Sequence, residues 1–455
     1  MPVQPAIVYL DIDRSGNGRY EYRRPHFDAA AALGWRGLAL AEAGHEHPDR
    51  IARVCDEVVS LPAITVREIV NAVARLRARY DVKVLMAYPG QTVPGFDVSR
   101  VVEDACRELG LAHAPADAVR RCNNKFLMRK RLDSAGLANL AAELIQNESD
   151  LEEAASRIGF PLVFKPIFGA GSALIAKCGS RDALKAHYRL FQRVHGRTAP
   201  AFHGDDAHAF KTDDGREHLY EPGRTAMLEA YAEGMEATIE CLVYRGEITP
   251  LLLQEKMLVT YGTSTVLEHL LIAPSASLAP AQIESAMNYC RDCVAATGLD
   301  RSFAHFEFLM TREGPRVIEI NPRLGGFYVP RALRDLAGID PFVTNLLLLS
   351  DDLVPETVAR ARETAAGPHD GHRAMFVVYP PETGLLTAVD GAARAAQRPG
   401  ILEFKVATPS RRLERDIKEE YVAKYWGKAP SKEAALQLYR DVVADLNVTI
   451  LAEAS

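Results

Sequence analysis

The chain has 455 residues, a net charge of −6, 48% hydrophobic residues and 25% charged residues. It is too long for one ordinary domain and globular in composition, with no general affinity for nucleic acid or an anionic membrane surface. No apolar run reaches the roughly 20 residues of a spanning helix, and the first residues lack the basic region of a signal peptide.

In chain order, Ala6–Leu10 reads as a strand, Phe27–Leu33 as a helix, Gly37–Leu40 and Glu57–Val59 as strands, Val66–Tyr80 as a helix and Val82–Ala87 as a strand. This βαβα rhythm predicts an open parallel sheet covered by helices. No G-x-G-x-x-G follows the first strand, which disfavours a dinucleotide site. A helix is predicted over Asn123–Leu137, closing at Gly136, and Phe160–Phe164 opens a strand-rich segment. Residues 195–224 are polar, with His195, His203, Asp205, Asp206, His208, Asp213, Asp214 and His218 among Gly and Pro; no pair has metal-ligand spacing, so a loop is expected. Pro280–Thr297 is helical, and Cys290 and Cys293 within it read as small buried residues rather than a metal knuckle. The seven cysteines, scattered and odd in number, suit a reducing cytoplasm. Ala374–Tyr379 and Ile401–Val406 are strand-like and Lys432–Leu446 helical.

Phe303–Gly326 carries the clearest chemistry: FAHFEFLMTREGPRVIEINPRLGG. Phe303–Met310 and Arg316–Asn321 suit strands and Thr311–Pro315 a turn, which predicts a hairpin. Setting Met310 opposite Arg316 places Glu307 opposite Glu319, on one face with Cβ atoms about 5 Å apart. Two facing carboxylates repel unless a proton or a cation lies between them. Alternation puts Asn321, and Arg323 beyond it, on the same face. Two carboxylates and a carboxamide are hard oxygen donors suited to Mg²⁺ that also meets phosphate oxygens. A solvated hairpin face and a glycosidase-type acid–base pair compete, but neither accounts for Arg323 and Gly325-Gly326 following at once.

Four other segments add to it. In FPLVFKPIFGAGS, Lys165 ends a strand and Gly169, Gly171 and Ser172 follow, a pattern in which main-chain N–H groups and an ammonium meet phosphate. It is not a Walker loop, since no Gly-Lys-Ser/Thr follows. In MLEAYAEGMEATIE, Glu229 and Glu236 flank a turn at Gly234, suited to reading an adenine edge and ribose hydroxyls. Asn123-Asn124-Lys125 opens a helix, with Met128 and Arg129 behind it. Glu268-His269 precedes Pro274. Taken singly, these read equally well as charged loops, a basic helix start and a surface turn.

Together and in this order, the segments resemble the ATP-grasp superfamily over Val119–Leu349, with the preceding αβ region similar to its usual N-terminal domain. The resemblance implies an α/β plus α+β chain: a parallel αβ domain at 1–118, an ATP-grasp core at 119–370 with a mobile lid at 162–227, and a small C-terminal α+β extension at 371–455. It implies ATP and two Mg²⁺ ions, with Mn²⁺ as an alternative. Lys125, Lys165, Gly169, Gly171 and Ser172 would hold phosphates, Glu229 and the backbone near Tyr231 adenine, and Glu236 ribose. Glu307, Glu319 and Asn321 would bind metal, and Arg323 and Lys165 would serve catalysis. Two departures stand out. Asn124 replaces the usual Asp before the first Lys, and Ala173-Leu174 follow Ser172 where a Ser-x-Gly is usual, although leucine resists φ > 0.

The pattern is most similar to the L-amino acid (dipeptide-forming) ligases, with their hairpin ending in Glu-Ile-Asn-Pro-Arg-x-Gly-Gly. This implies a carboxylate and an amine as substrates, an acyl-phosphate intermediate, a cytoplasmic homodimer, and neither nucleic acid nor membrane as partner. Arg323 would also hold a substrate carboxylate, and Glu268 or His269 an α-amino group. The alternatives are a purine-pathway or biotin-carboxylase-like ligase and a non-catalytic ATP-binding module.

Overall fold

The computed structural model describes residues 3–12, 23–43, 51–88, 97–169, 171–198 and 207–451. Strands β1 (Gln4–Asp11), β2 (Arg36–Glu42), β3 (Glu57–Leu61) and β4 (Tyr80–Met86) form a parallel sheet in the order β3-β2-β1-β4. Both faces of β1 are buried: Ala6, Val8 and Leu10 pack on one side and Ile7 and Tyr9 on the other. That is why its sequence is continuously apolar rather than alternating. The helix predicted to run to Tyr80 is shorter. Capped by Thr65, it spans Val66–Leu76, because Tyr80 already pairs with Gln4 in the sheet.

The single helix predicted from Asn123 is two helices, Ala116–Asn123 and Lys125–Ser134. Asn124 breaks them with an extended backbone and caps the second, its Oδ1 accepting from the N–H groups of Phe126 at 3.0 Å and Leu127 at 3.1 Å. Asn caps as well as Asp does, so the departure from Asp keeps Lys125 at the first helical position. Asn124→Ala should cost about 1 kcal/mol in urea unfolding, with Asn124→Asp near neutral.

Next come β5 (Ala142–Ile145), β6 (Leu162–Pro166), β7 (Ala176–Cys178), the hairpin of β8 (His208–Lys211) and β9 (Glu217–Tyr220), and β10 (Ala226–Ala230). β5, β10, β6 and β7 form an antiparallel sheet in that order, and the helix Arg181–Thr198 packs on it through Leu184, Tyr188 and Phe191. The described part of the polar segment is therefore a helix end and a hairpin rather than a loop; His203, Asp205 and Asp206 lie outside the described residues.

The site is built on the eight-stranded antiparallel sheet. Its strands are β11 (Met235–Tyr244), β12 (Glu247–Tyr261), β13 (Val266–Ala273), β14 (Ser302–Thr311), β15 (Gly314–Asn321), β16 (His372–Val378), β18 (Ile401–Val406) and β20 (Ala423–Ala429), in the order β15-β14-β11-β12-β13-β16-β20-β18. Between them β17 (Gly384–Asp390) pairs with β19 (Arg411–Leu413) and β21 (Asn447–Leu451) in a small sheet. Along β11, Ala237, Ile239 and Cys241 pack beneath the helix Pro280–Thr297, where Cys290 and Cys293 are buried free thiols. Glu236, Thr238 and Glu240 alternate to the opposite face. Register sets Gln254 of β12, His305 and Glu307 of β14, and Asn321 and Glu319 of β15 on that face with them.

Candidate active site

Glu307 lies opposite Glu319 as predicted, but through a different register. Met310 pairs with Pro315 rather than Arg316, and a β-bulge between Glu307 and Phe308 absorbs the extra residue. The bulge frees the carbonyl of Ile318, which accepts from Arg129 Nη2 at 3.0 Å. Arg129 is fully buried; its Nη1 donates to Asn139 at 2.7 Å and its Nε to Glu229 Oε1 at 2.5 Å. The other Glu229 oxygen accepts from Lys165 Nζ at 2.5 Å. Burial alone would raise the Glu229 carboxyl, yet Arg129 and Lys165 hold it below the usual range. One arginine thus joins the β14–β15 hairpin to the strand carrying Glu229 and, through Glu229, to Lys165.

Neighbouring ammonium groups offset the two facing carboxylates. Lys125 Nζ is 2.9 Å from Glu319 and 3.4 Å from the Gly169 carbonyl oxygen. Lys256, unremarked in the sequence, lies between Glu307 at 2.7 Å, Glu268 at 2.5 Å and Glu236 at 3.3 Å. Its side chain is 1% exposed. Against its desolvation, Glu268, Glu307 and Glu236 raise its pKa well above that of a free lysine. Despite burial, Lys256 and His305 hold Glu307 well below the carboxylate range, whereas burial outweighs Lys256 at Glu268 and raises it. The facing pair therefore has protein cations beside it, and its register does not by itself demand a metal.

The donor set nonetheless fits a hard divalent ion. Glu307 and Glu319 share a face, and Asn321 Nδ2 donates to Glu319 at 2.6 Å, leaving the amide oxygen turned toward Arg323 Nη2 at 3.3 Å. Among the described residues no group of three His, Cys, Asp or Glu side chains is gathered as metal ligands; the third donor of the candidate set is an amide. Arg323 is desolvated, but the field of Tyr88, Glu319, Glu307 and Glu240 raises its pKa.

His305 and Glu240 form a buried ion pair on the same face beside Glu307, and the Gly325 N–H donates to Glu240 Oε2 at 3.2 Å. Although burial disfavours its charged form, Glu240 and Glu307 push the His305 pKa up to about 10. A Cβ on Gly325 would lie 2.6 Å from His305 Nδ1 and 2.9 Å from Glu240 Oε1, so only glycine fits after Arg323-Leu324.

Of the other predicted residues, Glu236 also accepts from the Tyr261 hydroxyl at 2.8 Å, and the Lys177 ammonium lies 3.6 Å over the Tyr231 ring. Glu268 joins the charged face, but His269 points to the other side of β13, between Thr260 Oγ1 at 2.8 Å and the Tyr439 hydroxyl at 2.7 Å. Gly171 (φ +63°), Ser172 (φ +50°) and Leu174 (φ +59°) are all left-handed, so the resistance expected of leucine is overcome. The Leu174 side chain is buried, its N–H donates to the Ile417 carbonyl at 3.0 Å, and His187 Nε2 lies 3.1 Å from its carbonyl oxygen.

Sequence reasoning missed Lys256, Arg129 and the His305–Glu240 pair. A faint signal for Lys256 was present, since Gln254-Glu255-Lys256 interrupts the apolar run of β12.

The comparisons agree with this architecture. Residues 158–331 match the family model described as an ATP-grasp domain. The uncharacterized protein y4rH of Sinorhizobium fredii is 23% identical over 404 residues, covering 89% of this chain and 74% of that protein. Carnosine synthase 1 of Mus musculus is 27% identical over 259 residues, covering 55% of this chain but only 28% of that protein. The crystal structure of an L-amino acid ligase from Bacillus licheniformis superposes with a TM-score of 0.73 at 18% identity, covering 99% of this chain and 100% of that one. The chain carries an ATP-grasp domain and has the ATP-grasp fold, with a parallel N-terminal sheet ahead of an antiparallel core.

Proposed function

We propose that the protein is an ATP-dependent carboxylate–amine ligase that joins amino acids or a small peptide through an acyl phosphate, releasing ADP and phosphate. The observation that carries this reading is the set of Lys125, Glu307, Glu319, Asn321 and Arg323 around one hairpin face, tied through Arg129 to Glu229 and Lys165. The likeness to carnosine synthase 1 and to an L-amino acid ligase supports amino-acid substrates.

Mg²⁺ held by Glu307, Glu319 and Asn321 would neutralise phosphate oxygens. Lys125 and Lys165 add positive charge, each now neutralised by a glutamate that a bound phosphate would rival. The N–H groups of Gly169, Gly171 and Ser172 would be offered to the same oxygens. The backbone near Tyr231 would face the adenine and Glu236 the ribose; Glu229, expected to read adenine itself, has both oxygens engaged by Arg129 and Lys165 and instead fixes that strand beside the phosphate site. Arg323 neutralises charge growing on the transferred phosphoryl group and then on the tetrahedral carbon. Glu268 takes the α-amino group, and His269 braces its strand from the far side. Closure of the segment bearing Gly169–Ser172 excludes water from an acyl phosphate prone to hydrolysis.

Incubation with MgATP and pooled amino acids, reading phosphate and the masses of new amides, tests this reading. Phosphate release dependent on an amino-acid pool, with a matching condensation product, is expected. Nucleotide binding without phosphate release in any carboxylate and amine pool would identify a non-catalytic binder instead.

A further inference from the structure

The chain beyond β19 returns to the glycine-rich loop. Besides the bond from Leu174 to Ile417, the N–H of Glu419 donates to the Gly171 carbonyl at 3.0 Å. Ile417 packs against the core formed by Phe164, Leu174, Tyr188 and Phe191, so the returning segment shares that core. A Cβ on Gly171 would lie 3.9 Å from Glu419 Cβ, so the two backbones run side by side. On its other side, the Tyr379 hydroxyl at the end of β16 reaches the Glu419 carboxyl at 2.9 Å and the main-chain oxygen of Glu268 at 3.3 Å. Loss of surrounding water, reinforced by Glu268, pushes the Glu419 carboxyl up to about 8. The segment therefore spans from the loop to the charged sheet face, bonded at both ends.

We propose that residues 414–421 are a strap that holds the glycine-rich loop over the nucleotide, with Glu419 as its positioning residue through Tyr379. The proposal rests on reading Lys165 and Gly169–Ser172 as the nucleotide phosphate site. The strap accounts for the left-handed backbone of Leu174, where glycine would be easier: its N–H is bonded to the Ile417 carbonyl and its side chain is buried, while Glu419 bonds the Gly171 carbonyl three residues before it.

The test uses the full chain and the variants Glu419→Ala, Tyr379→Phe and Glu419→Gln. Amide exchange over residues 171–176 is read without nucleotide, and MgADP affinity is read by calorimetry. In Glu419→Ala and Tyr379→Phe, exchange should rise about tenfold over that segment but not over Pro280–Thr297. MgADP affinity should fall about tenfold in the same two variants. Glu419→Gln retains an oxygen that accepts from Tyr379 and should stay near wild type. Unchanged exchange at 171–176, or faster exchange with unaltered MgADP affinity, overturns the strap. A wild-type protein that binds no MgADP, with exchange responding as expected, rejects the nucleotide reading and the proposal with it.

Discussion

Lys256→Met should cost about 3–5 kcal/mol of stability, because it strands three glutamates around one buried position. Methionine fills most of the volume, so the loss is electrostatic rather than a cavity. The pH dependence separates this from a packing effect. In the wild type, Glu307 is held well below its usual range, so its contribution is present at neutral pH and lost as pH falls through its folded value. Lys256 has a raised pKa, so its contribution persists below the free-lysine range. Without Lys256, the same carboxylates gain from protonation in the folded state. The deficit should therefore be largest near pH 7 and shrink as pH falls toward about 4, where unfolded glutamates also protonate. Urea unfolding followed by tryptophan fluorescence at pH 7 and pH 5 reads both; a deficit under about 1 kcal/mol, or one that is flat with pH, would contradict the buried-charge account.

The second large effect is on turnover. Glu319→Ala should lower it by roughly three orders of magnitude, about 4 kcal/mol of transition-state stabilisation, if Glu319 helps to hold the Mg²⁺ that neutralises the transferring phosphoryl group. Stability should fall less than in Lys256→Met, since Glu319 is 19% exposed and the one ammonium it leaves, Lys125 Nζ, keeps the Gly169 carbonyl as a partner. Wild-type-like turnover in this variant would remove Glu319 from the metal set.

The site was legible where chemistry is local in sequence. The hairpin, its turn and the short interval from Glu319 to Arg323 are encoded within about twenty residues, where strand alternation applies directly. The helix Pro280–Thr297 and the strand Ile401–Val406 lie where the sequence placed them, bounded by Pro and Gly or by plain alternation. The pairing of Glu307 with Glu319 was reached from a register one residue out, and the bulge at Ile318 compensated. Bulges leave little trace in a single strand's pattern.

What was not legible depends on other strands. Lys256 reads as one charge in an apolar strand until β11, β13 and β14 bring three carboxylates to it. Arg129 reads as part of a basic helix start, yet it bonds residues far away in sequence. The left-handed Leu174 contradicts local propensity because Ile417, far along the chain, accepts its N–H. Tertiary contacts of this kind override propensity at the sites where function concentrates.

The central claim, that a carboxylate oxygen attacks the γ-phosphate before an amine displaces it, has a direct test in isotope transfer. When a carboxylate labelled with ¹⁸O is turned over with MgATP and an amine, one labelled oxygen must leave with each phosphate as the amide forms. Phosphate carrying one ¹⁸O, seen as a shifted ³¹P resonance alongside ADP, is the predicted result. Unlabelled phosphate, or release of AMP in place of ADP, would contradict it.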